Sequence, residues 1–282
     1  MCLAFSNLAS LTRIGIKRLN SENFGYEVFE TLWFDSIVLR KINLVYQFLK
    51  LLSDPWDIVY TRNKLFAVFS LLLGKRTVLE LHDAERSFFK KVILWCISLH
   101  SSSLIVTISH GLLADVNRYT YRNSKKCVLH DAVRSEDLNC PKSSYSIEEK
   151  AMPLIMYTGS LHKGKDINQI EFLLNTDLDF ILHVVGGSVE EVGKLRLKYK
   201  DDRLLLTPRV PKEKLVELRK NVDLFFYPLS FSNTLYKYTS PLKLFEYMSS
   251  GVPILGSNIG SVSEIIDDST AFCFHPNCPL FH

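Results

Sequence analysis

The sequence predicts an α/β protein with two doubly wound parallel sheets. From residue 57 onward, short apolar segments alternate with longer segments of helical periodicity. A polar stretch at residues 131–152 interrupts this alternation, which then resumes more regularly. Strands and helices that alternate at this spacing form parallel sheets covered on both faces. Because 282 residues suffice for two domains, we expect an N-terminal domain over residues 1–140 and a C-terminal domain over residues 151–282.

The expected elements follow the apolar pattern along the chain. Residues 13–18 fit a short strand, and residues 26–52 fit a helix. The next expected strands are 57–61, 77–81, 104–108 and 127–129, with helices at 63–73, 85–100 and 110–119, the last capped by Ser109. In the second half we expect strands at 154–158, 180–185, 204–207 and 223–227, and helices at 166–174, 189–199 and 212–219.

Residues 238–264 carry the clearest local signals. Ser240 is a good N-cap, and Pro241 suits the first helical position. Apolar residues then recur at helical spacing, at Leu242, Leu244, Phe245 and Met248. Gly251 ends the helix, and a strand, a glycine-rich loop and a second helix start follow. Two carboxylates, Glu246 and Glu264, lie near the two helix starts, which indicates a polar ligand at an edge of the sheet.

Composition argues against several classes of protein. Hydrophobic residues make up 47% of the chain and charged residues 23%, so a sizeable core can be buried. The net charge of +4 is too small to argue for nucleic acid. Six scattered cysteines fit a reducing cytoplasm. We expect no signal peptide and no spanning helix, because the apolar run at residues 92–99 is far shorter than the roughly 20 residues needed.

The C-terminal residues Cys273, His275, Cys278 and His282 have two interpretations. They could form a small zinc knuckle, or Cys273 could be a buried strand cysteine followed by a terminal loop. We favour the second interpretation, because this spacing matches no common zinc pattern.

A phosphate-binding loop is predicted after the strand at 154–158. Gly159 and Ser160 follow the strand directly, and Lys163 lies just before the next helix. Glycine lets backbone N–H groups approach a ligand, a helix N-terminus favours an anion, and lysine adds a positive charge. The alternative is a tight turn with solvated lysines. The chain has no Walker sequence and no GxGxxG, which argues against an ATPase or a nicotinamide enzyme.

Other strand and helix ends supply further candidates. The loop that holds Arg209 and Val210 could place backbone groups against a nucleobase, or it could be a plain connection. Glu246 could accept hydrogen bonds from ribose hydroxyls, or it could pair with Lys243 three residues earlier. Glu264 could face the ligand or be a favourable first-turn acid.

The N-terminal half offers three candidates at strand ends. His82 and Asp83 end one apolar strand, and Arg62 follows another. The carboxyl ends of parallel strands meet at one edge of a sheet, where such folds bind ligands. A histidine at this edge is as readily structural as functional.

Together these segments resemble the retaining glycosyltransferases of the GT-B fold, the large family that includes sucrose synthase and many bacterial mannosyl- and glucosyltransferases. The strongest match is SPLKLFEYMSSGVPILGSNIGSVSEII at residues 240–266, supported by MYTGSLHKGKDI, VYTRN and VLELHDAERS. The resemblance implies two Rossmann-like domains facing a cleft. It also implies that a nucleoside-diphosphate sugar binds mainly to the C-terminal domain and that the sugar moves to an acceptor with retention.

The resemblance assigns residue roles by matching position. Donor binding would use Gly159, Ser160, Lys163, Arg209, Val210, Leu242, Lys243, Glu246 and Glu264. Within this set Glu246 would bind the ribose, and Val210 would contact the base. His82, which matches the histidine near the donor sugar, and Tyr238 are the catalytic candidates, and Arg62 and Asp83 would lie on the acceptor side. Neither a metal nor a cofactor is expected, because cationic side chains and helix dipoles stabilise the leaving diphosphate.

The sequence departs from the family pattern at several positions. Tyr238 stands where the family often has the first of two glutamates seven residues apart, and Ser160 stands where an arginine is common. Lys163 therefore carries more of the expected charge. The family's opening strand with its glycine-rich loop and its closing long helices are not found. We therefore expect a chain truncated at both ends, with an incomplete N-terminal domain.

The resulting hypothesis is a metal-independent cytoplasmic glycosyltransferase, soluble or peripheral to the inner face of the membrane. Its partners would be a nucleotide sugar and a glycan or lipid-linked acceptor, in surface polysaccharide or glycoconjugate synthesis. One alternative is a truncated or degenerate paralogue that binds nucleotide sugar without turnover. Another is an unrelated sugar-phosphate enzyme such as an epimerase, which would need a nicotinamide fingerprint that this chain lacks.

Overall fold

The protein forms two compact units. The computed structural model describes residues 16–17, 28–29, 45, 49, 58–133, 152–161 and 167–276. The first unit comprises Met1–Ile108 and Leu112–Leu129, and the second comprises Ser109–Gly111 and His130–His282. Most of the predicted polar linker and the predicted phosphate-loop residue Lys163 lie outside the described residues.

The first unit contains a four-stranded parallel sheet. Its strands lie in the order β3-β4-β5-β6, which is also their order in the chain. The elements of this region are β1 (Ile16–Lys17), β2 (Val28–Phe29), β3 (Ile58–Thr61), α1 (Lys64–Leu72), β4 (Arg76–Leu81), α2 (Phe88–Leu99), β5 (Ser103–Thr107), α3 (His110–Asn117) and β6 (Lys126–Val128). Parallel pairing brings the carboxyl ends of β3, β4 and β5 to one edge of the sheet.

Local signals in the sequence fix the first helix of this sheet. The side chain of Asn63 accepts hydrogen bonds from the backbone amides of Leu65 and Phe66, at 3.0 and 3.2 Å. An asparagine N-cap of this kind satisfies donors that the first helical turn leaves unpaired. Gly74 then takes a positive φ of 71° directly after the helix, a conformation that glycine adopts without strain. The helix is therefore bounded at both ends by residues suited to those positions.

The second unit contains a six-stranded parallel sheet in the order β12-β11-β10-β7-β8-β9. Its elements are β7 (Leu154–Thr158), a 3₁₀ turn (Ile167–Gln169), α4 (Ile170–Leu174), β8 (Ile181–Val185), α5 (Val189–Lys198), β9 (Leu204–Thr207), α6 (Lys212–Arg219), β10 (Leu224–Tyr227), α7 (Leu242–Ser249), β11 (Ile254–Ser257), a 3₁₀ turn (Val262–Glu264) and β12 (Phe272–Phe274). The predicted α/β fold with two parallel sheets is confirmed.

Strand order in the second unit reverses at β7. From β7 the chain moves outward to β8 and β9, and then returns to the opposite side of β7 to add β10, β11 and β12. The loops that leave β7 and β10 therefore depart to opposite sides. This arrangement opens a crevice at the carboxyl ends of the two strands, which is the usual ligand position in open α/β sheets.

Two buried apolar clusters hold helices against this sheet. One lies around Phe226 and Leu182, and the other lies around Phe225 and Tyr247. Tyr247 of α7 is fully buried, and its ring stacks on that of Phe225 with centroids 4.1 Å apart. Buried aromatic pairs of this kind contribute a large apolar area and a defined geometry. The stacking fixes helix α7 against β10.

Two local predictions were wrong. Val28–Phe29 is a strand paired antiparallel with Ile16–Lys17, whereas we expected a helix from residue 26. Pro241, rather than Ser240, is the N-cap of α7, because the Ser240 hydroxyl instead accepts a hydrogen bond from the Asp131 amide at 2.7 Å.

Ser109, the expected cap of α3, directly precedes the helix. Its hydroxyl donates to the carbonyl oxygen of Lys237 at 3.3 Å. The carboxylate of Glu264 accepts hydrogen bonds from the first two amides of the helix. Within the described part of the chain, no helix is both long and apolar enough to cross a bilayer.

Candidate functional site

The candidate site of the second unit lies where β7 ends and α7 begins. We call it the Thr158 cluster, formed by Thr158, Gly159, Arg219, Lys243 and Glu246. Thr158 is the last residue of β7 and is buried. Because β7 is at the point where strand order reverses, this cluster is at the crevice that the topology creates.

Helix α7 contacts Thr158 through two side chains. The Thr158 amide donates a hydrogen bond to the Tyr247 hydroxyl oxygen at 2.8 Å, and the Lys243 ammonium donates to the Thr158 carbonyl oxygen. Burial raises the pKa of the Tyr247 hydroxyl, so this group stays protonated and can donate as well as accept. The cationic end of Lys243 is thereby held at the start of the loop that follows β7.

Gly159 packs closely against these groups. A Cβ atom at this position would lie 2.5 Å from the Tyr157 hydroxyl oxygen and 2.7 Å from the Lys243 Nζ. The Tyr157 hydroxyl in turn donates to the Ser160 carbonyl oxygen at 2.9 Å. A side chain at residue 159 would displace the polar ends of both Tyr157 and Lys243, so the cluster requires glycine here.

A second loop approaches Gly159 from β8. A Cβ atom on Gly186 would lie 1.7 Å from the Gly159 carbonyl oxygen, and Gly186 has a φ of +143°. Both the positive φ and the backbone contact exclude a side chain. The two glycines thus bring the ends of β7 and β8 close together and leave the backbone next to the crevice uncovered.

Glu246 is paired with an arginine from another helix. Nη2 of Arg219, the last residue of α6, lies 2.7 Å from Oε2 of Glu246 and 3.2 Å from the hydroxyl oxygen of Thr158. The alternative pair between Glu246 and Lys243 is not formed: Glu246 pairs with Arg219, and Lys243 contacts Thr158. Arg219 was not anticipated from the sequence.

The N-terminus of α7 is adjacent to this cluster. The helix starts at Leu242, whose side chain is 39% exposed, and its N-cap is Pro241, which offers no side-chain cap. The first backbone N–H groups of a helix point outward along its axis and favour an anion. Together with the Lys243 ammonium they form a cationic end to the crevice.

The remaining donor-side candidates lie on neighbouring loops. Arg209 is exposed, and its amide donates to the Gly187 carbonyl oxygen at 2.9 Å, while Val210 packs against an apolar cluster. Ser160 is exposed at the end of the Gly159 turn. Tyr238 is half-buried in the loop before α7, and its amide donates to the Leu235 carbonyl oxygen at 2.9 Å.

Glu264 belongs to a different cluster. Its two carboxylate oxygens accept hydrogen bonds from the amides of His110 and Gly111, at 2.7 and 3.0 Å. The Nε2 atom of His130 lies 3.7 Å from the same carboxylate. Glu264 therefore stabilises a helix N-terminus, as an acid near such an end commonly does. This structural role of Glu264 requires no ligand.

The predicted C-terminal cysteine pattern is only partly described. Cys273 is a half-buried residue of strand β12, as the second interpretation of that pattern expected. Burial raises the pKa of its thiol. Cys278 and His282 lie outside the described residues.

The first unit has a polar cavity of its own at the carboxyl ends of β3 and β4. Its volume is about 580 Å³, and its lining includes Arg62, His82 and Asp83 together with Lys64, Glu85 and Arg86. The structure therefore brings together the three N-terminal candidates that the sequence suggested. Lys64 and Glu85 form an ion pair across this lining.

Glu80, which sequence reasoning missed, connects the groups of this cavity. Its carboxylate side chain is 7% exposed and accepts hydrogen bonds from Tyr60 and from Arg62, the latter at 2.6 Å. Its Oε1 atom also contacts Nε2 of His82. Burial opposes ionisation, but the hydrogen bonds from His82 and Tyr60 and the charge of Arg62 outweigh it and lower the pKa of Glu80 to about 2. Burial of the Tyr60 hydroxyl and its hydrogen bond to the Glu80 carboxylate raise the pKa of Tyr60.

One signal in the sequence could have identified Glu80. It is an acid inside an otherwise apolar strand, two residues before His82. Side chains two residues apart on a strand point to the same face, and a buried carboxylate needs partners. Those two facts together predict a Glu80–His82 contact.

Comparison with known proteins finds a family match for the segment that holds the Thr158 cluster. Residues 152–279 match the family described as glycosyl transferases group 1. No curated protein shows a significant match to the chain in sequence. The matched segment covers the second unit's sheet and every described donor-side candidate.

Solved glycosyltransferase structures share the fold. Anabaena Alr3699/HepE in complex with UDP-glucose is 14% identical, with a TM-score of 0.57 over 87% of this chain and 72% of that one. Sucrose-phosphate synthase from Thermosynechococcus elongatus is 15% identical, with a TM-score of 0.59 over 88% and 68%. The lipopolysaccharide outer core galactosyltransferase WaaB is 17% identical, with a TM-score of 0.60 over 87% and 69%. The resemblance drawn from the sequence is confirmed at the level of family match and fold.

Proposed function

We propose that this chain, whose second unit matches the glycosyl transferases group 1 family, transfers a sugar from a nucleoside diphosphate to an acceptor with retention. One observation carries the proposal. Gly159, Lys243 and Glu246, which the family resemblance assigns to donor binding, meet around Thr158 at the switch point of the sheet. A crevice at that point, with a cationic end and a carboxylate, suits a nucleoside diphosphate.

In the proposed reaction the donor diphosphate occupies the cationic end of the crevice. The amides at the start of α7, the Lys243 ammonium and the Gly159 backbone stabilise the charge that develops on the leaving diphosphate. This arrangement supplies positive charge from the protein itself, so we propose that no metal ion or cofactor is required. The bond between the anomeric carbon and the diphosphate oxygen breaks, and the acceptor hydroxyl oxygen forms a bond to that carbon from the same face. The hydroxyl proton passes to the departing diphosphate, and the configuration is retained.

We propose that the cavity of the first unit takes the acceptor. Arg62, Asp83 and His82 line it and offer hydrogen-bond donors and acceptors for sugar hydroxyls. His82 is the proposed catalytic candidate of this cavity. The acceptor class, a glycan or a lipid-linked glycan in surface polysaccharide or glycoconjugate synthesis, is supported by the structural neighbour that acts on the lipopolysaccharide outer core.

The test is a titration followed by a turnover assay. Uridine, guanosine and adenosine diphosphates are titrated calorimetrically, and the sugar donors of the nucleoside that binds are then assayed for hydrolysis and transfer in the presence of a chelator. Binding with turnover supports the proposal. Binding without turnover instead supports the alternative of a paralogue that only holds nucleotide sugar, which Tyr238 and Ser160 favour. Absence of binding contradicts both.

We further propose that the protein is cytoplasmic and docks on the inner membrane face through helix α2. Its outward face carries Phe88, Val92, Trp95 and Leu99, which are 74%, 41%, 48% and 47% exposed. These residues repeat at helical spacing, and the buried Leu94 and Ile97 lie on the opposite face. Arg86, Lys90 and Lys91 border the start of this apolar stripe, and basic residues beside an apolar helical face favour an anionic lipid surface.

Replacing Phe88 and Phe89 by serine should remove most of the binding to anionic phospholipid vesicles. Both side chains are more than two-thirds exposed, at 74% and 79%, so the fold should tolerate the change. Cosedimentation with anionic and neutral vesicles measures the effect. Leu197→Ser is the matched control, because Leu197 is 80% exposed on α5 of the other unit. Equal sedimentation of the three proteins, or none with the unaltered chain, would contradict α2 as the docking surface.

A further inference from the structure

Glu246 uses one carboxylate oxygen to bind Arg219, and its other oxygen can accept from a ligand. Its side chain is 36% exposed, and Oε2 accepts the hydrogen bond from Arg219 Nη2 at 2.7 Å. In the described part of the chain, Oε1 has no hydrogen bond. A carboxylate can accept at both oxygens, so the pair with Arg219 leaves Glu246 able to receive further donors from a ligand.

Arg219 is itself firmly held. Its side chain is 15% exposed, far less than that of Glu246. Nη2 also donates to the Thr158 hydroxyl oxygen at 3.2 Å, and the guanidinium carbon lies 5.9 Å from the centre of the buried Tyr247 ring. Thr158 and Tyr247 are both buried parts of the sheet and of helix α7. The guanidinium therefore has a fixed position from which to orient a more mobile partner.

The difference in burial indicates that Arg219 positions Glu246 and not the reverse. A half-exposed glutamate has several rotamers open to it, and holding one of them costs side-chain entropy. The charge-assisted hydrogen bond from a buried arginine selects one rotamer before any ligand binds. Preorganisation of this kind raises affinity by reducing the ordering required on binding.

We propose that Arg219 is a positioning residue for nucleotide recognition: it holds Glu246 so that Oε1 accepts from the ribose hydroxyls. This inference rests on the proposed nucleoside-diphosphate site. Because Nη2 of Arg219 bonds both Thr158, which precedes the Gly159 loop, and Glu246, the arginine also ties the ribose contact to the diphosphate contact. A nucleotide would then be recognised by the spacing between its diphosphate and its ribose diol.

The test separates ribose recognition from general destabilisation. Affinities for a nucleoside diphosphate and for its 2′,3′-dideoxy analogue are measured for the unaltered protein, Arg219→Met, Arg219→Lys and Glu246→Gln. The unaltered protein should prefer the ribonucleotide by about tenfold or more, as hydrogen bonds to a charged group provide. Arg219→Met should lose most of this preference, with a clearly smaller loss of affinity for the dideoxy analogue than for the ribonucleotide. Arg219→Lys should retain more of the preference than Arg219→Met.

The double variant Arg219→Met/Glu246→Gln provides the decisive comparison. If Arg219 acts through Glu246, the double variant should lose no more ribose preference than Glu246→Gln alone, since the two residues act as one unit. An unchanged preference in Arg219→Met and Arg219→Lys would overturn the inference, as would an equal loss of affinity for both nucleotides. Failure of the unaltered protein to bind any nucleoside diphosphate would instead overturn the proposed function and this inference with it.

Discussion

Gly159→Ala is expected to lower the affinity for the nucleoside diphosphate by at least about tenfold, the effect of weakening a charge-assisted contact. The new methyl group would lie 2.5 Å from the Tyr157 hydroxyl oxygen and 2.7 Å from the Lys243 Nζ. Both atoms are at the ends of side chains that can move, so the protein should still fold. Their displacement would, however, move the Lys243 ammonium away from the phosphate position. Calorimetric titration measures the loss.

Gly193→Ala is the matched control for this experiment. Gly193 lies within helix α5 of the same unit, and a Cβ atom there would have no neighbour within 4 Å. Alanine in a helix interior should stabilise the unit by about 0.5–1 kcal/mol and leave nucleotide affinity unchanged. Equal affinities for Gly159→Ala and Gly193→Ala would show that the Gly159 backbone is not close to the ligand.

Glu80→Gln is expected to destabilise the first unit at neutral pH by an amount on the order of 3 kcal/mol. The pKa of Glu80 falls from an ordinary 4.5 to about 2, because the hydrogen bonds from His82 and Tyr60 and the charge of Arg62 outweigh the effect of burial. A carboxyl group with a lowered pKa contributes stability above its unfolded value. That contribution is lost as the pH falls from about 4.5 towards 2.

The pH dependence distinguishes this effect from a simple packing defect. The unaltered protein should lose stability between pH 4.5 and pH 2. Glu80→Gln should be less stable at neutral pH, and its stability should change less over that range. All three tryptophans belong to the first unit, so tryptophan fluorescence during urea unfolding reports on that unit. Glu217→Gln, at an exposed ion pair of α6, should change little. Parallel pH profiles for Glu80→Gln and the unaltered protein would contradict the assigned role.

Much of the architecture was predictable because parallel strands and amphipathic helices have distinct apolar periods. From β3 to β10, the described strands match the predicted ones within a residue or two at each end, as for Leu204–Thr207 and Leu154–Thr158. The helix predicted from residue 26 is wrong at residues 28–29 for a physical reason. Val28–Phe29 pairs with Ile16–Lys17, and a pairing between segments this short leaves almost no period to detect.

The polar contacts were less predictable than the elements that present them. Gly159 and Glu246 were marked from the sequence because they lie at a strand end and near a helix start, and the family resemblance added Lys243. Arg219 was not, because its partner Glu246 is 27 residues away in the chain and the pairing depends on how α6 and α7 pack. Similarly, Ser240 was expected to cap α7. Its hydroxyl instead accepts a hydrogen bond from the amide of Asp131, 109 residues away in the chain. Tertiary partners override local preference at such positions.

The central claim is that the Thr158 cluster binds a nucleoside diphosphate, and a titration of Lys243→Met tests it most directly. The Lys243 ammonium donates to the carbonyl oxygen of Thr158 and lies directly against Gly159. We expect the unaltered protein to bind uridine, guanosine or adenosine diphosphate. Lys243→Met should bind the same nucleotide at least about tenfold more weakly. Lys214→Met, which removes an exposed lysine from α6, should bind as the unaltered protein does. Equal affinities for all three proteins, or no binding by any, would contradict the assignment of this site.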